Sequence, residues 1–289
     1  MTELPESITG HSEFQAANKE QKRFGTDARH QQASYKLNIK MLIISTAVSA
    51  IVGGLLLYGM EADAEGDEGL VKFIAGDVVQ SLLVGLQAIA LGIAGYAGFF
   101  LGRHNPKDAW IRSRIKAEDY RLRRAKCVLE LSHAVNEDTF RTAGAWFSEF
   151  VERQDNHLKT SAALRANSSR SYVVVGGVLA GAVALAGGLA GLQLKFVAVL
   201  IAMLGVCAPA LVSAINSWAA ASADDARADL HNHSLTLLRD VSASETVFKK
   251  AIEDHDLPGA LAYADRVFEV LRADHRGFAE IHSRSAQTP

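Results

Sequence analysis

The chain has 289 residues, 49% of them hydrophobic and 21% charged, with a formal net charge of -2. As an average this describes an ordinary soluble domain, but the charges are segregated: the stretches 41–60, 78–101, 172–192 and 196–221 contain no Asp, Glu, Lys or Arg. A soluble helix needs a polar face, so such runs exclude a single water-soluble core, and they are too apolar for intrinsic disorder.

At about 1.5 Å per residue, each stretch is long enough as a helix to cross a hydrocarbon layer of about 30 Å. The fold class this predicts is an all-α integral membrane protein, with four transmembrane helices arranged as two hairpins and extended cytosolic helices. A polar helical segment, 1–40, leads into hairpin 41–101, whose spans 41–60 and 78–101 flank the acidic external loop 61–77. The first apolar run starts far from Met1 and lacks a small-residue cleavage site, so it reads as a retained signal anchor. A cytosolic helical segment, 102–171, precedes the second hairpin, 172–221 (spans 172–192 and 196–221, turn Leu192-Gln193-Leu194-Lys195). The cytosolic helices of 222–289 close the chain. The layout amounts to one unit used twice in the same direction.

Lysine and arginine are retained on the cytoplasmic side of short loops. Every one except Lys72 and Lys195 falls in 1–40, 102–171 or 222–289. The expected localisation is therefore the inner (plasma) membrane, multi-pass, with both termini cytoplasmic.

Asn105-Pro106 suits the start of a helix. From there Ile111, Ile115, Leu122, Ala125 and Leu129 form an apolar stripe beside a basic face that includes Arg112, Arg114, Lys116, Arg121 and Arg124. The spacing predicts a second helix over 137–171, with Phe140, Trp146, Phe147 and Phe150 as its apolar content. Residues 222–255 are expected to continue helically, and Pro258 to open a last helix bearing Leu261, Phe268, Leu271, Phe278 and Ile281.

Within the spans, Gly92, Gly95, Gly98, Gly177, Gly181 and Gly188 allow close backbone approach, which drives helix packing in lipid. Both packing within one chain and assembly into a homo-oligomer use such faces. Gln87 and Asn216 are the polar candidates, either lining a pore or bonding a neighbouring helix. The spans hold no charge, which argues against an ion-coupled transporter.

Catalytic patterns are not found. There is no GxxxxGK[ST] loop. His231 and His233 are two apart and point to different sides of a helix, while Cys127 and His133 are six apart. The remaining histidines are expected to face solvent, Glu253-Asp254-His255-Asp256 to form a solvated turn, and Cys127 and Cys207 to remain separate thiols. No enzyme, metal, cofactor or nucleic-acid partner is expected. The basic face suits anionic headgroups or phosphates, but no aromatic or glycine joins it to define a pocket, and a solvated face is the plainer reading.

The motif Trp110-Ile111-Arg112, Arg114, Ala117-Glu118 and Leu122-Arg123, directly after a two-span hairpin, resembles the SLATT superfamily of prokaryotic two-transmembrane proteins. This chain differs in having two hairpins and no attached nucleotide-binding domain. The resemblance implies a membrane-acting effector of conflict or abortive-infection systems, with a soluble nucleotide-sensing or nucleotide-producing protein as a partner beside the lipid bilayer. By position, Trp110, Arg114 and Glu118 become candidates for cytosolic assembly or partner contact. Glu118 lies one turn after Arg114, where an i,i+4 pair is available. The expected function is pore formation or membrane perturbation on oligomerisation, and the alternative is a non-catalytic scaffold that anchors a soluble sensor or enzyme.

Overall fold

A computed structural model describes residues 2–65, 76–189 and 195–284; the side chains of 57–65, 179, 180, 182–189, 195–207 and 284 fall outside that description. Most of the acidic loop, the turn at 190–194 and the surroundings of Gly188 and Cys207 therefore lie outside the described residues. The described residues form helices and no strands: α1 Glu6–Thr9, α2 Ser12–Glu65, α3 Asp77–His104, α4 Pro106–Val135, α5 Glu137–Leu189, α6 Lys195–Ser222, α7 Asp224–Ser242, α8 Glu245–Glu253 and α9 Leu257–Arg284. The all-helical class is as expected.

Local chemistry sets the breaks. Asn105 adopts the left-handed conformation (φ 39°, ψ 55°) and its N–H closes on the Leu101 carbonyl, ending α3, while Pro106 starts α4. The Asn136 side chain accepts the Thr139 N–H at 2.8 Å, capping α5 above an acidic first turn of Glu137 and Asp138. Residues 222–255 are not one helix. Ala223 turns left-handed (φ 50°) between α6 and α7, and a second break at Ala243 and Ser244 separates α7 from α8.

The chain divides into two compact units. The first comprises Met1–Gln32, Lys107–Asn167 and Ala223–Pro289, so the segments richest in charge fold together. Its core is aromatic. Phe147 of α5 meets Phe248 of α8 at 5.4 Å and Phe268 of α9 at 5.8 Å, and Phe248 stacks on Tyr263 at 4.8 Å. Such pairs contribute about 0.5–1.5 kcal/mol each beyond the area they bury. Ile8 of α1 is fully buried in the same cluster, and the Thr2 N–H and hydroxyl bond the Glu149 carboxylate, fixing the start of the chain. The stripe expected on α4 is the face used: Ile111, Leu122, Ala125 and Leu129 are buried.

The second unit comprises Ala33–Pro106 and Ser168–Ser222. Here α2 and α3 run antiparallel, because Gly53 approaches Gln87 while Gly98 approaches Leu42. The Trp218 indole N–H donates to the Tyr172 hydroxyl at 3.0 Å, joining α6 to α5, and Lys40 of α2 lies 5.5 Å over the same indole. Polar side chains of α2 turn onto their own backbone: Asn38 to Ser34, Ser45 to Met41 and Thr46 to Leu42. That arrangement satisfies hydroxyls and amides without water.

The exposed surfaces of the two units differ. Every exposed large hydrophobic residue among those described belongs to the second unit, except Val135, Leu164 and Val247. Two helical segments, Ser12–Leu56 and Asp77–His104, are long and apolar enough to cross a membrane, with mean hydropathies of 2.0 and 1.8 over their most apolar windows. Only 17% and 6% of those windows are buried, whereas the core helix of a soluble protein is mostly buried.

Candidate functional site

The chemistry of the first unit concentrates where α4, α5, α7 and α9 meet. On α4, Trp110, Arg114, Glu118 and Arg121 recur at spacings of four, four and three, which places them on one face. On α9 the stripe Val267, Leu271, Asp274, Phe278 and His282 faces inward, with Asp274 and His282 as polar members of an apolar series. The helix α7 contributes Asp224, Arg227, His231 and Ser234, all buried, and α5 contributes Arg165.

Phe278 is the hub. Trp110 meets it edge-on at 5.5 Å and His282 at 4.6 Å, while the guanidiniums of Arg114 and Arg227 lie over its ring at 4.6 and 5.1 Å. The carboxylates nearby are engaged elsewhere. Arg165 donates to Asp224 at 2.8 Å. The Nδ1–H of His231 donates to Asp274 at 3.1 Å, and the Ser234 hydroxyl adds a further bond to Asp274. Glu118 accepts from Arg121 at 3.0 Å and has His275 at 3.9 Å. Its ion pair is thus with Arg121 rather than with Arg114 one turn back, although Arg114 still acts on it through space.

These placements shift the ionisations. Burial pushes the Glu118 carboxyl up, but Arg121, His275 and Arg114 outweigh that and hold it below its ordinary range. Asp274 behaves likewise: burial raises it, and the bond and charge of His231 more than reverse the effect. Burial, with Arg165 and Arg114 adding to it, brings Arg227 down to about 10. Burial and the field of Arg227, Lys107, Arg114 and Arg165 push His282 down to about 3, so it is neutral at physiological pH.

Of the expected site residues, the structure brings Trp110, Arg114 and Glu118 together, and it does so on contacts within the chain. In the second unit Gln87 is half-buried against Gly53, and Asn216 is exposed. Among the described residues nothing stands within 4 Å of a Cβ built on Gly92, Gly95, Gly177 or Gly181, and one on Gly98 just touches Leu42. The expectation that histidines other than His231 and His233 face solvent fails for His282, which is 1% exposed. His231 and His233 do point apart, one buried and one exposed. Sequence reading missed Arg165, Asp224, Arg227, Asp274 and Phe278 as partners of the α4 face, although polar residues at apolar stripe positions were a usable signal.

Nothing described assembles a nucleophile. Burial, with Glu13 and Glu130, pushes the Cys127 thiol up to about 11, which keeps it protonated. Among the described residues no group of three or more His, Cys, Asp or Glu is placed to hold a metal ion. A surface cleft of about 750 Å³ between α5, α7 and α8 is edged by the Arg239–Asp155 ion pair and carries mixed charge.

No protein-family model, curated protein or solved structure matches the chain. Fold and site together define an all-helical protein with, among the described residues, two helices long and apolar enough to cross a membrane, and a helical unit with an aromatic core.

Proposed function

We propose that the chain is a four-span inner-membrane protein, its termini and central segment cytosolic, that acts as a membrane effector of the kind the SLATT resemblance implies. The cytosolic helices receive a signal or a soluble partner, and a change in assembly of the spans opens a pore or perturbs the bilayer. One observation carries this reading: the second unit turns its apolar side chains outward, Val78, Leu82, Ile89 and Phe99 among them, and several of its glycines meet no neighbour among the described residues. In lipid such faces accept other helices through close packing. The test is dye release from liposomes, or depolarisation of expressing cells, with the protein driven to oligomerise. Leakage is the expected result; intact vesicles under every oligomerising condition would overturn the effector reading.

A second reading, a passive membrane scaffold for a soluble sensor or enzyme, is favoured by the closed polar groups of α2 and by Gln87 lying against Gly53, since neither then lines a water path. It predicts a stoichiometric soluble partner and no leakage.

A further inference from the structure

Arg114 and Arg227 share the ring of Phe278, and among the described residues neither guanidinium has a hydrogen bond or an ion pair. The nearby acids are bonded to other partners, Asp224 to Arg165, Asp274 to His231 and Ser234, and Glu118 to Arg121. Arg227 is 5% exposed, and its Nε is enclosed without an acceptor. Asp224 and Asp274 act on Arg227, and Glu118 and Asp274 on Arg114, only through space, and burial outweighs them, holding both guanidiniums below their ordinary range. A buried charge with no bonded partner is destabilising, and stacking on an aromatic ring offsets only part of that. Arg165 and Lys107 add to the same positive field.

We propose that Arg114 and Arg227 form an anion site that takes the phosphate group of a ligand. A guanidinium is a planar fork of donors matched to phosphate oxygens, and such bonds are among the strongest a protein makes. A phosphate monoester carries about two negative charges near neutral pH and can neutralise both arginines, where a single carboxylate neutralises one. Arg114 is less deeply buried than Arg227 and gives the ligand its way in from water. The phosphate belongs either to a soluble molecule or to a lipid headgroup; the chemistry at the arginines is the same. The site lies wholly in the first unit and does not depend on the membrane reading.

The experiment is thermal unfolding of the full chain in dodecyl maltoside, at constant ionic strength set with chloride. Inorganic phosphate is titrated in one arm and phosphatidic acid in mixed micelles in the other. A saturable rise in Tm with phosphate identifies a soluble source, a rise with phosphatidic acid alone identifies a lipid, and either upholds the site. Both Arg227→Gln and Arg114→Gln are expected to weaken the effect at least tenfold. In phosphate-free buffer Arg227→Gln is expected to unfold no earlier than the parent, because the guanidinium it removes is buried without a bonded acceptor. No rise in either arm beyond chloride, or an undiminished rise in both variants, overturns the proposal.

Discussion

Gly53 and Gln87 face each other across α2 and α3 so closely that a Cβ on Gly53 would stand 3.0 Å from the Gln87 Nε2. By contrast, a Cβ on Gly92 meets nothing within 4 Å. A small shift of the Gln87 amide would accommodate a Cβ alone, but the longer side chain of Gly53→Leu has to displace it and should wedge the hairpin apart, at a cost on the order of 1–3 kcal/mol. Gly92→Leu should leave the Tm of the purified protein unchanged. If Gly92 belongs to a face between copies, the same variant lowers the particle mass in detergent; an unchanged mass removes that face from any assembly.

Ile89 is 61% exposed on α3, at the middle of the expected span 78–101. In water an arginine there would be harmless or helpful. In a bilayer the same change opposes insertion by about 2.5–3.5 kcal/mol near the centre of the span. Ile89→Arg is expected to reduce the membrane-extracted fraction of expressed protein while leaving the first unit folded. Full retention in the membrane fraction would contradict the placement of α3 in lipid.

Acid should loosen the first unit through His282. Its ordinary pKa is 6.5 and burial in a positive field takes it to about 3. Between those values the unfolded chain binds a proton that the folded chain refuses, so stability falls as pH falls through the window and is flat above it. The slope approaches about 1.4 kcal/mol per pH unit for one such group. His275, also lowered by burial, adds in the same direction. His282→Phe removes one of the two, and its Tm should drop less than the parent's between pH 6.5 and 4.5; equal slopes would show that His282 is not held neutral.

Gly144 of α5 has no room for a methyl group, since a Cβ there would lie 2.8 Å from both Ile252 Cγ atoms of α8. A branched side chain clamped at its base cannot retreat as a flexible tip would. Gly144→Ala should cost about 1–3 kcal/mol in chemical unfolding, with Ile252→Ala restoring part of the loss in the double variant.

The helical class and the aromatic core of the first unit were legible, because Phe140, Phe147, Phe150 and Phe268 stand at helical spacing between charged neighbours. The α4 stripe was legible for the same reason. The partners of that stripe were not. Asp274 stands at a stripe position of α9 and was open to suspicion, but Arg165 and Asp224 are polar residues in polar-looking helices, where only tertiary packing decides which polar group is turned inward. The left-handed Ala223 was equally hidden, since alanine strongly favours continuing a helix and nothing local signals the break. Ser12 to Leu56 carried no sign that its polar half would pack: Phe24 stacks on Tyr120 at 5.8 Å and Asn18 accepts from Arg124 at 2.8 Å, contacts between positions roughly a hundred residues apart.

Ser45 and Thr46 spend their hydroxyl protons on carbonyls of their own helix. Anything that settles beside this stretch of α2 finds no donor from these two groups to grasp and must be recognised by contour. Trading either residue for alanine should then go almost unnoticed, while adding bulk beside them should not: at these two positions volume matters before polarity.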